Sequence, residues 1–500
     1  MLLTPMLRLL SVEDPDRTAI VAAGACLTYR ELHAQASAIS VVLDAITARD
    51  SANSALNAHE LPTVAISTAS AFEAALLIVA AEAGDRVLTV IDAAWPLALR
   101  VRMIEASGAS VVVTDQHELA AALGTSGWRG LIVEIGELHD AAQRAAASAP
   151  DDPPRDDAPF LLLTSSGTTG SPKAYLKTRA QYAANLEVSR RHLGADAGAA
   201  TFAPGPMSFS LTLYALFEAL STGGRLHVAD RLDELWLTSR VRDEQPTRLV
   251  AVPAALHALA DAADRQPGRY DSLDLIVAGG GTVSDDLRAR LAAAVPAAHV
   301  IGYFGAGELG FIGDSRASHA TIRLYPGVEA RVRDNDGSDL PPGELGTLWV
   351  RSGSCSDGYL PATTTMRLRD ADGWATVHDL GRLHGRDFEF AGRRGDVVTT
   401  GGHTVALDAV EHAFDGMPGL GAVCAIAEPH ERLGSVIGLV VESDGTPCER
   451  ESLQGWARVH LAAASVPRRW YVVPELPRTG GGKIRRAAAT ALALQTGRPL

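Results

Sequence analysis

The sequence predicts an α/β protein: a large N-terminal domain of parallel sheets packed with helices plus a β-rich subdomain, followed by a small α+β C-terminal domain. Three observations support this prediction. Strand-like and helix-like segments alternate through the first half of the chain. From about residue 321, short strand-like segments are separated by Gly, Pro and Asp turns. The last part, 395–500, again mixes strand and helix patterns.

The composition bounds the class of protein. The chain has 500 residues, 47% hydrophobic and 21% charged, which is typical of a globular protein with a large core. Its net charge of -14, without a long basic run, argues against a nucleic-acid partner. The four cysteines form no CxxC pair, and no apolar stretch suits a signal peptide or a membrane span. We therefore expect a cytoplasmic protein that binds no nucleic acid and no membrane.

The elements of the first half follow in order. Thr28 and Glu31 have the spacing of a capping box, so a helix is predicted to begin there. Strands are predicted at 63–67, 87–91 and 111–114, and helices at 71–83 and 95–107, each helix ending at a glycine. This order favours a parallel sheet covered by helices.

A loop of small residues follows the next predicted strand. Residues 148–159 are rich in Pro and Asp, and the apolar run 160–163 predicts a buried strand. The sequence TSSGTTGSPK then occupies 164–173. Its glycines and hydroxyl residues would let several backbone N–H groups approach one anion, and Lys173 adds a charge. The loop differs from a Walker A loop, because Pro172 stands where that motif has Gly before Lys. On composition alone, a phosphate loop and a flexible linker are about equally supported.

The later elements place further motifs at strand ends. Strands are predicted at 248–252, 273–277 and 299–303, and shorter ones at 329–333, 347–351 and 388–390. The sequence AGGG, at 278–281, follows one of them and FGAGE, at 304–308, another. We predict domains at 1–394, with a β-rich part at about 321–394, and at 395–500.

An ordered set of motifs resembles the adenylate-forming superfamily of acyl-CoA synthetases, adenylation domains and luciferases. The matching segments cover nearly the whole chain: AEAGDRVLTVIDAAWPLALR (81–100), TSSGTTGSPK (164–173), AGGG (278–281), GYFGAGE (302–308), GWATVHDLGRL (373–383), GRRGD (392–396) and RTGGGKIRR (478–486). The resemblance implies an ATP-dependent ligase that uses Mg²⁺ and turns a carboxylic acid into an acyl-adenylate. It also implies a C-terminal domain that is mobile.

The resemblance assigns roles to particular residues. Lys483 would be catalytic, bridging the acid's carboxylate and the α-phosphate, and Glu308 would be catalytic as the ligand of Mg²⁺. Asp379 would accept the ribose hydroxyls, with Arg393 completing the ribose and phosphate contacts, and Tyr303 or Phe304 would stack on adenine. The full set implied in ATP binding is Thr164, Ser165, Ser166, Gly167, Thr168, Thr169, Gly170, Lys173, Gly279, Gly280, Tyr303, Phe304, Asp379 and Arg393.

Departures from the superfamily pattern bear on the substrate. Gly307 stands where the superfamily usually has Thr, so one hydroxyl contact to the α-phosphate is missing. Gly395 stands at the hinge, and Ser210 stands where relatives that activate amino acids have Asp, so an α-amino acid is disfavoured. The residues expected to line the acid pocket are Phe209, Ser210, Tyr214, Gly281 and Gly305. They predict an aromatic or compact apolar acid.

The acceptor of the acyl group stays open. The resemblance extends to stand-alone amide bond synthetases, whose acceptor is an amine. An amine and coenzyme A, which would be a co-substrate, are therefore equally supported as the acceptor. Loading of a separate carrier protein is less supported than either. Gly401 and Gly402 resemble a glycine pair near a pantetheine tunnel. Rival interpretations are a luciferase-like monooxygenase and a catalytically silent nucleotide-binding homologue. Lys173, Glu308 and Lys483, present together with Asp379, argue against the silent homologue.

Overall fold

The computed structural model describes residues 2–49, 61–145, 155–165, 172–230, 234–318, 321–393, 396–400, 403–430, 434–443, 449–461, 463–479 and 482–500. The helices in these ranges are α1 (Thr4–Glu13), α2 (Tyr29–Arg49), α3 (Ala71–Glu82), α4 (Leu97–Ser107), α5 (His117–Ser126), α6 (Ile135–Arg144), α7 (Arg179–His192), α8 (Ser210–Thr222), α9 (Glu234–Glu244), α10 (Pro253–Arg265), α11 (Asp285–Ala294), α12 (Leu407–His412), α13 (Arg450–His460) and α14 (Arg486–Thr496).

The strands lie between these helices and outnumber them. They are β1 (Thr18–Ala22), β2 (Ala25–Thr28), β3 (Thr63–Ser67), β4 (Val87–Val90), β5 (Ala109–Thr114), β6 (Leu131–Glu134), β7 (Pro159–Ser165), β8 (Lys173–Thr178), β9 (Ala200–Pro204), β10 (Arg225–Ala229), β11 (Arg248–Ala251), β12 (Leu275–Ala278), β13 (His299–Ala306), β14 (Gly310–Ser315), β15 (Thr321–Leu324), β16 (Glu329–Arg333), β17 (Gly346–Arg351), β18 (Asp379–His384), β19 (Asp387–Arg393), β20 (Val397–Thr400), β21 (His403–Ala406), β22 (Val423–His430), β23 (Gly434–Glu442), β24 (Arg469–Val473) and β25 (Arg498–Pro499).

Three sheets organise the chain, and the predicted fold class is confirmed. A 13-stranded sheet has the order β16-β17-β18-β19-β15-β14-β13-β12-β11-β9-β10-β1-β2, and a 6-stranded sheet the order β6-β5-β3-β4-β7-β8. Their central strands are parallel, as the alternation of strand and helix patterns predicts. The remaining 6-stranded sheet, β21-β20-β23-β24-β25 with β22 on β23, contains only residues after the predicted hinge.

The β-rich part is joined to the parallel strands in one sheet. Pairing changes from parallel to antiparallel between β13 and β14, so the antiparallel part at this end of the sheet starts at Gly310, before the change in sequence pattern at about residue 321. The turn between these two strands carries Glu308. The physical reason is that β13 and β14 form a hairpin, whose tight return permits antiparallel pairing without a crossover helix.

Helix α3 explains why the two parallel sheets pack together. Its residues are almost all apolar and buried, from Ala74 to Ala81. One side of it contacts β1 and β10 of the larger sheet, and another contacts β3 and β4 of the smaller one. A helix that is hydrophobic all round is stable only when covered on all sides. Helix α3 is therefore the shared core layer between the sheets.

The helix ends that the sequence predicts at Thr28 and Gly108 are present in the structure. Thr28 Oγ1 accepts from the Glu31 backbone N–H at 3.2 Å, and Glu31 Oε2 accepts from the Thr28 N–H at 2.8 Å, so the predicted capping box starts α2. Gly108 adopts a left-handed conformation with φ 68° and ends α4. In the described ranges, no helix combines the length and apolarity that crossing a bilayer requires.

Candidate active site

Strands β7 and β8 flank the predicted phosphate loop. Strands β7 and β8 are antiparallel, and their last register pair joins Ser165 to Lys173. Ser165 Oγ donates to the Lys173 carbonyl at 3.4 Å, and Lys173 Nζ lies 5.6 Å from the centroid of the Tyr359 ring. Of the predicted phosphate loop, Thr164, Ser165 and Lys173 are described, and Ser166, Gly167, Thr168, Thr169 and Gly170 lie outside the described residues.

Glu308 is held from three directions at the turn that follows β13. Its side chain is buried, and the Tyr359 hydroxyl donates to its Oε1 at 3.0 Å. Its backbone carbonyl accepts from Lys177 Nζ at 3.0 Å and from the Ser356 N–H at 2.8 Å. Burial lowers the pKa of Lys177 to about 8, with Cys355 and Glu308 acting in the opposite direction. These contacts fix the position of the carboxylate.

Asp379 and Arg393 stand opposite each other on neighbouring strands. They are direct register partners of β18 and β19, and Arg393 Nε donates to Asp379 Oδ1 at 2.9 Å. Burial raises the pKa of Asp379, while the Arg393 guanidinium lowers it. The carboxylate of Asp379 raises the pKa of Arg393 in turn. Among the described residues, Arg393 binds Oδ1 of Asp379, and Oδ2 is available as an acceptor for a ligand.

Lys483 projects from a tight loop before α14 onto the glycine turn after β12. The Thr479 N–H donates to the Lys483 carbonyl at 2.7 Å, and Gly482 has φ 77°. Lys483 Cε and Nζ lie 3.6 Å and 4.0 Å from the point where a Cβ on Gly280 would stand. The C-terminal loop and the glycine turn are therefore in contact.

The charged cluster consists of Glu308, Asp379, Arg393, Asp408 and Lys483. Desolvation and the Arg393 guanidinium lower the pKa of Lys483 to about 8, and the three carboxylates oppose this shift. The Lys483 residue as a whole is exposed. The cluster brings together the predicted catalytic residues and two predicted ATP-binding residues.

Tyr303 and Phe304 point to opposite faces of β13, and Tyr303 is the one that packs on the glycine turn. A Cβ on Gly279 would stand 2.0 Å from the Tyr303 ring, so only glycine fits there. Tyr303 packs edge-on against Phe311, with ring centroids 4.8 Å apart, whereas Phe304 packs against Phe388 at 5.6 Å. Successive residues of a strand point to opposite faces. Tyr303 and Phe304 therefore cannot both stack on one base.

Two of the predicted acid-pocket residues, Phe209 and Tyr214, belong to an aromatic wall at helix α8. Phe209 precedes α8, Ser210 begins it, and Tyr214 lies one turn later on the same face. The Tyr214 ring stacks on Tyr182 with centroids 4.5 Å apart. Within the described ranges, the buried Tyr214 hydroxyl has no hydrogen-bond partner. This unpaired hydroxyl marks one polar position in an otherwise aromatic wall.

The two glycines predicted in the acid pocket have different surroundings. A Cβ on Gly281 would stand 3.3 Å from Pro253 Cγ, whereas one on Gly305 would stand 2.2 Å from the Gly310 carbonyl. Gly305 is therefore required by the packing of β13 on β14, independently of any ligand. Gly395 lies outside the described residues.

Sequence reasoning missed Tyr175, Lys177 and Tyr359. Tyr175 and Lys177 lie on the same face of β8 as Lys173, and β8 was not among the strands predicted from the sequence. A Cβ on Gly307 would stand 1.8 Å from the Tyr175 hydroxyl oxygen. The available signal was the alternation of long polar side chains after the loop, which is typical of a strand with one functional face.

Comparisons with known proteins give matches over most of the chain. The AMP-binding enzyme family matches residues 11–360, and the AMP-binding enzyme C-terminal domain matches residues 409–483. Feruloyl-CoA synthase from Amycolatopsis sp is 32% identical over 76% of this chain and 78% of the synthase. ATP-bound MatB from Rhodopseudomonas palustris has a TM-score of 0.84 at 22% identity, covering 98% of this chain and 99% of MatB. A lysine-to-alanine mutant of the amide bond synthetase Mcba from Marinactinospora thermotolerans has a TM-score of 0.80 at 20% identity, covering 98% and 99%.

Proposed function

This chain belongs to the AMP-binding enzyme family, and we propose on that premise that it activates an aromatic carboxylic acid and passes it to coenzyme A. It is an adenylate-forming ligase: a carboxylic acid and ATP give an acyl-adenylate and pyrophosphate, and an external nucleophile then takes the acyl group. The observation that carries the proposal is the contact of Lys483 with the Gly280 turn, within the charged cluster.

The first half-reaction joins two anions, so its catalysis is a matter of charge and position. A carboxylate oxygen attacks the α-phosphorus, and the bond to the pyrophosphate oxygen breaks. We assign Lys483 to hold the carboxylate against the α-phosphate and Lys173 to hold the leaving pyrophosphate. We assign Asp379, which Arg393 holds through Oδ1, to accept from the ribose hydroxyls through Oδ2. These roles need an ordered set of charges, which the sheets supply.

The surroundings of Glu308 suit Mg²⁺. The ion takes one or two carboxylate oxygens and completes its shell with phosphates and water. Glu308 offers a buried carboxylate, and three hydrogen bonds fix its side chain and backbone. When bound there, Mg²⁺ neutralises charge on the phosphates of ATP. The protein's part is to keep the Glu308 carboxylate aligned, and the Tyr359 hydroxyl does this.

The aromatic class of the acid follows from the wall beside the charged cluster. Phe209 is partly exposed where α8 begins, and the buried rings of Tyr214 and Phe311 pack together. Residue 210 is Ser, so it offers no carboxylate to pair with an α-ammonium. Flat rings pack well against such surfaces. The relative named for feruloyl-CoA supports the same class. Since Tyr303 is packed between Gly279 and Phe311, we assign Phe304 to stack on adenine.

We propose the acceptor of the acyl group from a relative of this chain. A relative named for a CoA product is 32% identical, which favours coenzyme A over an amine or a carrier protein. Coenzyme A and ATP are cytoplasmic metabolites, and we propose that location for the enzyme. Rotation of the C-terminal domain about Gly395 would expose the adenylate to the thiol.

The test supplies ATP, Mg²⁺ and a panel of benzoates, cinnamates, alkanoates and α-amino acids, and measures pyrophosphate release. Coenzyme A or a primary amine is then added and the product identified by mass spectrometry. We expect pyrophosphate with aryl acids and an aryl thioester with coenzyme A. An amide without thioester, or an adenylate transferred to neither, would overturn the proposed acceptor. Pyrophosphate with alkanoates alone would overturn the acid class.

Lys483→Ala tests the catalytic assignment. We expect this variant to abolish acid-dependent pyrophosphate release. Lys483 is the cation that the loop before α14 contributes to the charged cluster, and the other cation of the cluster, Arg393, lies on β19. Arg485→Ala is the matched control, since it removes an exposed cation two residues away. Equal losses in both variants would contradict a specific role for Lys483.

A further inference from the structure

Tyr175 fills the space beside Gly307, the residue before Glu308. Its hydroxyl oxygen lies 1.8 Å, and its ring carbon Cζ 2.9 Å, from the point where a Cβ on Gly307 would stand. Any side chain at 307 would collide with this tyrosine. Gly307 is absent from the glycines with positive φ, so its backbone suits other residues. The glycine is therefore required by Tyr175 and not by its own conformation.

The Tyr175 hydroxyl points at the junction of the acid pocket and the Mg²⁺ side. Ser210 Cβ lies 3.7 Å from the same Cβ point on Gly307, and Glu308 is the next residue. Tyr175 as a residue is 1% exposed. Among the described residues no hydrogen bond to its hydroxyl is seen, and its oxygen is not one of the fully enclosed side-chain atoms that lack a partner. The hydroxyl is therefore accessible to a ligand or to water.

The protonation state of Tyr175 suits a donor. Burial and the nearby Glu308 carboxylate raise the pKa of Tyr175 well above its usual range. The phenol therefore keeps its proton at physiological pH and donates. An anionic oxygen is the acceptor that gains most from such a hydrogen bond.

We propose that the Tyr175 hydroxyl donates a hydrogen bond to the α-phosphate of ATP and of the acyl-adenylate, taking over from strand β8 the contact that Gly307 cannot make. This proposal rests on the proposed function, because it needs an adenylate in the site. It makes Tyr175 a catalytic residue that sequence alignment of the Gly307 position would not reveal. Glycine at 307 and tyrosine at 175 then form a matched pair.

The first test compares Tyr175→Phe with Tyr182→Phe. Tyr182 is also buried and its hydroxyl has no partner in the described ranges, so the control removes a similar atom outside the charged cluster. With an acid that the wild type activates, we expect Tyr175→Phe to lower kcat/KM for pyrophosphate release about ten- to hundred-fold. Tyr182→Phe should stay within about twofold of the wild type.

The second test moves the hydroxyl back to residue 307. Tyr175→Ala opens the space, and adding Gly307→Thr supplies a hydroxyl from the other side of the gap. We expect the kcat/KM of the double variant to be at least about tenfold higher than that of Tyr175→Ala. Gly307→Thr alone should lose activity, because its Cβ collides with Tyr175. Only a hydroxyl contact predicts this rescue.

Four results would count against the proposals, and they separate the α-phosphate contact from the proposed function. Tyr175→Phe within twofold of wild type, or a double variant no better than Tyr175→Ala at equal thermal stability, would overturn the α-phosphate contact. A Tyr175→Phe effect on the KM of the acid alone would place the hydroxyl on the acid and also overturn it. A wild type that releases no pyrophosphate with any acid would instead overturn the proposed function.

Discussion

The pKa of Lys483 makes the pH dependence of adenylation a sharp prediction. Lys483 serves as a cation, and its pKa is lowered to about 8 by desolvation and by Arg393. The ammonium is present below that pH and is lost above it. At one pH unit above the pKa, about one tenth of the enzyme carries the ammonium, so kcat/KM for ATP should fall about tenfold.

The assay is initial-rate pyrophosphate release at limiting ATP, from about pH 6.5 to 10, since kcat/KM reports groups of the free enzyme. The partner variant is Lys483→Arg, whose guanidinium stays charged throughout. We expect a lower absolute rate in this variant, because the guanidinium is larger and planar, but no descending limb near pH 8.

A second variant tests the cause of the shift. Asp408 raises the pKa of Lys483, so Asp408→Asn should move the descending limb to lower pH. The limb has another candidate source, because the pKa of buried Lys177 is also about 8. A descending limb that persists in Lys483→Arg and disappears in Lys177→Met would refute the assignment to Lys483.

Two further predictions concern the residues around Glu308. Tyr359→Phe removes the hydrogen bond to the Glu308 carboxylate, so the Mg²⁺ concentration for half-maximal activity should rise about tenfold. Tyr471→Phe, which removes a tyrosine–glutamate contact in the C-terminal sheet, should leave it unchanged in the same titration. Lys177→Met leaves the Ser354 carbonyl without its buried donor, so it should lower the free energy of unfolding by about 1–3 kcal/mol. Thermal unfolding measures this, and an unchanged Tm would contradict the role of Lys177.

The sequence predicts the regular elements well because their signals are local. Strand β3 begins and ends at the predicted residues, and β16 does so in the β-rich part. The capping box of Thr28 and Glu31 needs only four neighbouring residues. Strand β8 escaped prediction because its six residues include two lysines that a solvent-facing loop would equally accept. Their burial depends on what packs against them.

The candidate site shows the same division between local and long-range information. Lys483, Glu308 and Asp379 were recognisable by their motifs. The pairing of Asp379 with Arg393 depends on the register of β18 on β19. The contact of Tyr175 with Gly307 joins strand β8 of one sheet to the turn that follows β13 of another, and no periodicity in one segment can reveal it. The glycine at 307 was visible as a departure, but its explanation required the three-dimensional structure.

The position of helix α3 has a consequence for biosynthesis. The helix is complete once residue 82 has been translated, yet one of the strands that cover it, β10, is made only at Arg225–Ala229. Strand β7, which joins the other sheet beside β4, also comes later, at Pro159–Ser165. A nascent chain therefore exposes a largely apolar helix on the ribosome for the time needed to synthesise more than a hundred residues. At ordinary elongation rates this lasts about 10 s, long enough for a chaperone to bind.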